Sequence, residues 1–104
     1  MSQQAIYILG GHQSDFARNI AREEKSLFDL FADTVKQGMS KCRLDANEIQ
    51  VGHVGNFVGD LFNGQAQLGG FFGHVDPGLA YLPASRHEAA CASGSMALMA
   101  AMAD

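Results

Sequence analysis

Apolar positions change rhythm several times along this chain, and each change marks an element. Ala5-Ile6-Tyr7-Ile8-Leu9 is an unbroken apolar run closed by Gly10-Gly11, the pattern of a short buried strand. From His12 to Lys25 polar residues dominate and no apolar face can be drawn. Ser26, with Asp29 three residues later, has the spacing of a capping box. Beyond it Phe28, Phe31, Val35, Met39 and Cys42 recur at intervals of three and four, widened by Leu27 and Leu30. That stripe predicts an amphipathic helix over Ser26 to Cys42. Leu44 to Ile49 is a tight connector or a single helical turn.

Val51 to Val58 alternates loosely and predicts a second strand, whose glycines mark close backbone approach or a bulge. Gln65 to Phe72 reads as a short helix cut at Gly73. Pro77-Gly78 and Pro83 punctuate the following loop. Ala84 to Ala90 predicts a third strand. Ala92 to Ala103 predicts a helix without a charged residue, and a helix apolar all round is expected to be buried. The order β-α-β-(α)-β-α implies an α/β fold, a mostly parallel sheet covered by helices. No repeat, linker or low-complexity stretch interrupts it.

Composition narrows the picture. A chain of 104 residues, 47% apolar, holds at most one modest domain of soluble type. A net charge of −4 with scattered Lys and Arg argues against nucleic acid or an anionic membrane as partner. No apolar run is long enough to span a bilayer, and Met1-Ser2-Gln3-Gln4 lacks a secretory n-region, so a cytoplasmic location is expected. Cys42 and Cys91 stand far apart, outside any CxxC or His-rich pattern, so neither a disulfide framework nor a metal site is expected. Gly10-Gly11 lacks the spacing of a dinucleotide or phosphate-binding loop.

The chemistry concentrates in Arg86-His87-Glu88-Ala89-Ala90-Cys91-Ala92-Ser93-Gly94-Ser95. Cys91 stands among very small residues where an extended run gives way to a helical one. At a helix N-terminus, unpaired backbone N–H groups favour negative charge, and thiolate is the nucleophilic form of cysteine. The competing reading is a buried helical cysteine. Ala90, Ala92 and Gly94 permit a tight turn, and Ser93 either holds it by local hydrogen bonding or reflects a helix-start preference. Cys42, on the apolar stripe, reads as core. His12, His53, His74 and His87 read as structural or interface histidines. His87 is the nearest to Cys91 in sequence, but four residues back along a strand places it at some distance in space. Met96, Met99 and Met102 read as helix packing, and Phe71-Phe72 as core rather than an acyl pocket.

Glu88-Ala89-Ala90-Cys91-Ala92-Ser93-Gly94, followed by alanine-rich apolar residues, resembles the nucleophile motif of the thiolase family, nearest its archaeal and sterol-carrier-type acetyl-CoA acetyltransferase branch. Ala5 to Phe16 resembles the family's opening strand and loop, Ser26 to Cys42 its first long helix, and Ile49 to Asp60 its second strand. The resemblance covers residues 1–104 as the N-terminal part of a thiolase N-terminal domain, an incomplete domain with a partial layered fold.

It implies that Cys91 accepts an acyl group as a thioester from an acyl-CoA or 3-ketoacyl-CoA, for Claisen condensation or thiolysis. Coenzyme A thioesters are then substrates, with no permanently bound cofactor. The histidine and second cysteine the family uses belong to later segments and match nothing here, so the chain alone is expected to be inactive. A homo-oligomer or a complementary C-terminal chain is expected to complete it, and Arg86 and Glu88 are expected to pair across a two-fold or simply be solvated. Two other readings stay open: a β-ketoacyl synthase-like condensing enzyme, and a non-catalytic truncated or partner-completed chain.

Overall fold

A computed structural model describes residues 4–104. Its longest element, helix α1 (Leu27–Cys42), starts where the pattern predicts. Ser26 is extended (φ −93°, ψ 170°); its Oγ accepts from the Asp29 N–H at 3.1 Å, and the Asp29 carboxylate accepts from the Ser26 N–H at 2.7 Å. Two donors that the first turn leaves open are thus satisfied reciprocally. The helix ends at Arg43, in the left-handed region (φ 55°, ψ 44°), whose N–H donates to the Met39 and Ser40 carbonyls. The predicted stripe meets its partner through aromatic edges. Phe31 lies 5.4 Å from Phe71 and 4.8 Å from Phe72 between ring centroids, and Phe28 lies 5.3 Å from Phe71, all edge-to-face.

The sheet is a parallel pair, β1 (Gly52–Gly55) and β2 (Ala84–His87), in register Gly52 to Ala84 and Gly55 to His87. Parallel strands need a crossover, and the segment between them supplies it. The crossover holds helix α2 (Gly59–Asn63), a 3-10 turn (Leu68–Phe71) running directly into helix α3 (Phe72–Val75), and a second 3-10 turn (Pro77–Leu79). The small buried core sits there: Leu68, Val75 and Leu79, the last only 1% exposed. Gly52 admits this packing, since a Cβ there would stand 2.8 Å from the Phe72 ring. After β2 the chain makes a 3-10 turn (Ala90–Ala92) and enters helix α4 (Ser93–Ala103). Among the described residues no helix is long and apolar enough to cross a membrane.

The α/β class and the parallel pairing agree with the pattern, and four details differ. Ala5 to Leu9 forms no strand: it joins no ladder and Ile8 is 90% exposed, because a strand exists only through ladder bonds and the described sheet has two members. The second and third strands are shorter than predicted, Gly52–Gly55 and Ala84–His87. The short helix predicted over Gln65 to Phe72 is a 3-10 turn that passes through Gly73 in α3, and α2 was not anticipated. Finally, α4 is not buried. Leu98, Met99 and Met102 are 64%, 61% and 57% exposed, since nothing among the described residues packs on their side. The three-methionine series therefore faces outward instead of packing a core.

Candidate active site

The turn from β2 into α4 is built by its own side chains. Ala89 is at φ −155° and ψ 47°, and Ala90 stands at φ 50°, a left-handed conformation in a residue carrying a Cβ. Such a position costs roughly 1–2 kcal/mol and persists only where neighbours hold it. Here they do. The Ser93 Oγ accepts from the Ala89 N–H at 2.9 Å and donates to the Ala90 carbonyl at 2.7 Å. The Glu88 carboxylate accepts from the Ala90 N–H at 2.6 Å, and the Ala92 N–H donates to the Ala89 carbonyl at 2.9 Å. Ser93 is only 5% exposed, and its hydroxyl both accepts and donates within the turn.

On the outside of this clamp sits Cys91, a free and exposed thiol in the middle of the 3-10 turn that opens α4. The buried-cysteine reading is therefore set aside for Cys91. Cys42 is half-buried near Gly10, where an added Cβ would stand 3.0 Å from its Sγ. Gly55 lets the clamp approach the sheet: a Cβ there would collide with the Ser93 carbonyl, so α4 begins directly on the β1 backbone.

The charged residues beside the cysteine do not pair with each other. Glu88 caps its own turn. The Arg86 guanidinium turns inward, donating to the carbonyls of Phe57 at 2.9 Å and Asn56 at 3.1 Å, with Asp60 3.8 Å away. It thereby ties the loop after β1 to the strand that leads to Cys91. Its Nε is buried without a hydrogen-bond partner among the described residues.

No histidine is hydrogen-bonded to Cys91 among the described residues. His12 accepts from Lys41 Nζ at 2.8 Å, and His74 packs its ring against Phe28. His53 and His87 pair with each other across the two strands, their nearest nitrogens 2.9 Å apart. That pairing was not visible in the sequence, because its members are separated by the whole crossover. Among the described residues no three His, Cys, Asp or Glu side chains gather as a metal cage. An apolar groove of about 420 Å³ runs between α1 and β1, lined by Leu30, Phe31, Val54, Leu68 and Phe72, and Cys91 does not reach it. Phe71 and Phe72 contact the α1 aromatic residues, in keeping with their expected packing role.

The fold and this turn define a class of architecture, an α/β chain presenting an exposed cysteine where a parallel strand passes into a helix. Comparison with known proteins adds a name to set beside it. Over 97 residues, 93% of the chain, the sequence is 34% identical to an acetyl-CoA acetyltransferase of Methanocaldococcus jannaschii. The matched region is 24% of that protein, so the chain spans about a quarter of the length of this curated relative. No family model matches the chain.

Proposed function

We propose that this chain carries the nucleophile-bearing segment of a thiolase-type acyltransferase, with Cys91 as the acyl acceptor. The observation that carries the reading is the clamped, strained turn that holds the Cys91 thiol in the open, within a chain similar along most of its length to an acetyl-CoA acetyltransferase.

In the reaction so proposed, the Cys91 thiolate attacks the carbonyl carbon of an acyl-CoA or 3-ketoacyl-CoA. The carbon–sulfur bond to coenzyme A, or the carbon–carbon bond of the ketoacyl unit, then breaks. The acyl group remains on Cys91 as a thioester, and the coenzyme A thiolate or the acyl-CoA carbanion leaves and takes up a proton. Claisen condensation or thiolysis by free coenzyme A then discharges it. Ser93, Glu88 and Gly55 act through position: they fix the backbone from which the sulfur projects. The groups that move protons lie outside what this chain's geometry supplies around Cys91, which supports a role completed by further protein, either another copy or a complementary segment. Coenzyme A thioesters, with free coenzyme A for thiolysis, are the small-molecule partners of the reading, and no permanently bound cofactor enters it.

The test is mass spectrometry of the protein isolated from its natural source, together with whatever protein completes it, after incubation with acetyl-CoA, followed by peptide mapping. An acetyl adduct on Cys91, absent from Cys91→Ala and retained in Cys42→Ser, is expected. An adduct confined to Cys42 overturns the assignment, as does equal slow iodoacetamide labelling of both thiols.

A further inference from the structure

Away from the cysteine, the strand pair holds two histidines against each other. His53 on β1 is in register with Ser85 on β2, and Gly55 with His87, so His53, Ser85 and His87 share one face of the pair. His53 Nδ1 and His87 Nε2 are 2.9 Å apart, and their ring centroids 5.1 Å. On its far side His53 Nε2 donates to the Asp104 carboxylate at 2.5 Å, just past the end of α4. The His53 side chain is only 11% exposed, so water has little access to this contact.

Counting protons shows what the contact tolerates. A carboxylate only accepts, so His53 Nε2 carries a hydrogen. Of the two facing nitrogens, one must then donate and the other offer a lone pair. One added proton fits: His53 becomes an imidazolium donating to Asp104 from one nitrogen and to His87 from the other, with the carboxylate answering its charge. A second proton does not fit. Both facing nitrogens would carry hydrogens, and two cations would stand on adjacent strands. Ser85 Oγ, 3.1 Å from His87 Nε2 and 3.3 Å from His53 Nδ1, is neutral and offsets neither charge.

Among the described residues, the other elements packed around the pair bring it no countercharge. Helix α4 has no titratable side chain before Asp104, and the 3-10 turn Leu68–Phe71 has none. Ser14, Thr34, Val35 and Asn56, which line the groove beside His53, are uncharged. Arg86 lies on the opposite face of β2 and donates to the Asn56 and Phe57 carbonyls, while Glu88 is engaged by the Ala90 N–H.

We infer that His53, His87 and Asp104 form a pH-sensitive latch. With one proton or none on the facing nitrogens beyond the hydrogen they share, β1, β2 and the end of α4 are fastened together. The second proton drives His53 and His87 apart and opens the strand pair at His87, the residue from which the Cys91 bend departs. The latch is independent of the chemistry of Cys91 and of the acyl-transfer reading.

The test compares denaturant unfolding of the protein isolated from its natural source, with whatever protein completes it, and of His87→Gln prepared in the same way, across the ordinary imidazole range of about pH 5–8. Glutamine keeps a donor and an acceptor opposite His53 and does not titrate. Unfolded, the two imidazoles take up two protons; folded, the pair holds one. Stability is therefore expected to fall below about pH 6.5 more steeply in the unaltered protein than in His87→Gln, by about one proton, or roughly tenfold in the folding equilibrium constant per pH unit. His12, which accepts from Lys41, contributes equally to both curves and cancels. Parallel curves overturn the latch. If His87→Gln fails to fold, hydrogen exchange at the imidazole carbons of the unaltered protein, read by mass spectrometry of the His53 and His87 peptides, decides. One proton shared by the two rings while the protein stays folded is expected; both rings fully protonated with unchanged circular dichroism overturns the proposal.

Discussion

Ser93 uses one hydroxyl in two directions, accepting from Ala89 and donating to Ala90, and no other side chain at the turn does both. Ser93→Ala leaves the half-buried Ala89 N–H without its partner, while the Ala90 carbonyl keeps the Ser93 backbone N–H, so it is expected to cost about 0.5–1.5 kcal/mol and to lower Tm. If the turn presents Cys91, the same variant loses the preference of iodoacetamide for Cys91 over Cys42, which peptide mapping reads directly. Ala90 makes the opposite case. Glycine tolerates φ 50° without a Cβ clash, so Ala90→Gly is expected to hold or raise stability by up to about 1 kcal/mol in a denaturant melt. Most of this local chemistry was legible in the sequence, because Cys91, its small neighbours and Ser93 lie within one turn of each other. Ser93 nevertheless bonds backward into the turn, while the N-cap position of α4 falls to Ala92. The role of Glu88 as a cap for Ala90 was not legible: it depends on the unusual dihedral angles of Ala89 and Ala90, which residue identity does not reveal.

Among the elements, α1 is the one whose limits are written most directly into the chain. Ser26→Ala is expected to cost about 1 kcal/mol, seen as a loss of helical signal on heating. The Asp29 carboxyl is held below its ordinary value because it accepts from the Ser26 backbone N–H and hydroxyl. Glu23 is held low in the same sense by Arg18, which donates to both of its oxygens. A carboxyl whose pKa is depressed on folding contributes stability that is complete above its unfolded pKa, near 4, and is lost as pH falls through the lower folded value. Acid titration is therefore expected to erode α1 and the 18–25 segment below about pH 4, with Ser26→Ala flattening the α1 part of the profile. The strands were read less well than the helix. Val51 to Val58 and Ala84 to Ala90 were placed correctly but too long, because a strand ends where its partner does, and periodicity carries no information about the partner. Ala5 to Leu9 has the composition of a strand and no ladder to join.

At the scale of the whole molecule, the core is small and the apolar surface large. Leu68, Val75 and Leu79 are the buried apolar side chains, while Leu98, Met99 and Met102 of α4 and Ile6 to Leu9 stand exposed. Apolar surface of this kind is expected to be covered, and a second copy of the chain is the occupant the next experiment tests. Self-association that weakens in Leu98→Glu or Met99→Glu, with stability changed by no more than about 0.5 kcal/mol, is the expected result in sedimentation and melting experiments. Unchanged association would place the contact elsewhere. The α/β class was legible because the alternation of strand and helix patterns is local. The exposure of α4 was not, because a charge-free helix tells what it needs and not whether the need is met.

The parallel pairing of β1 with β2 has a consequence in time. Helix α1 closes on neighbours a few residues away and can form early, whereas β2 must wait for the entire crossover to compact before its ladder exists. The bend bearing Cys91 follows β2 and rests on the β1 backbone at Gly55, so it is expected to assemble after the ladder and to be released with it. Mild denaturant should therefore erase the difference between the two thiols while much of the far-ultraviolet circular dichroism survives, making selective alkylation an early gauge of unfolding in this chain.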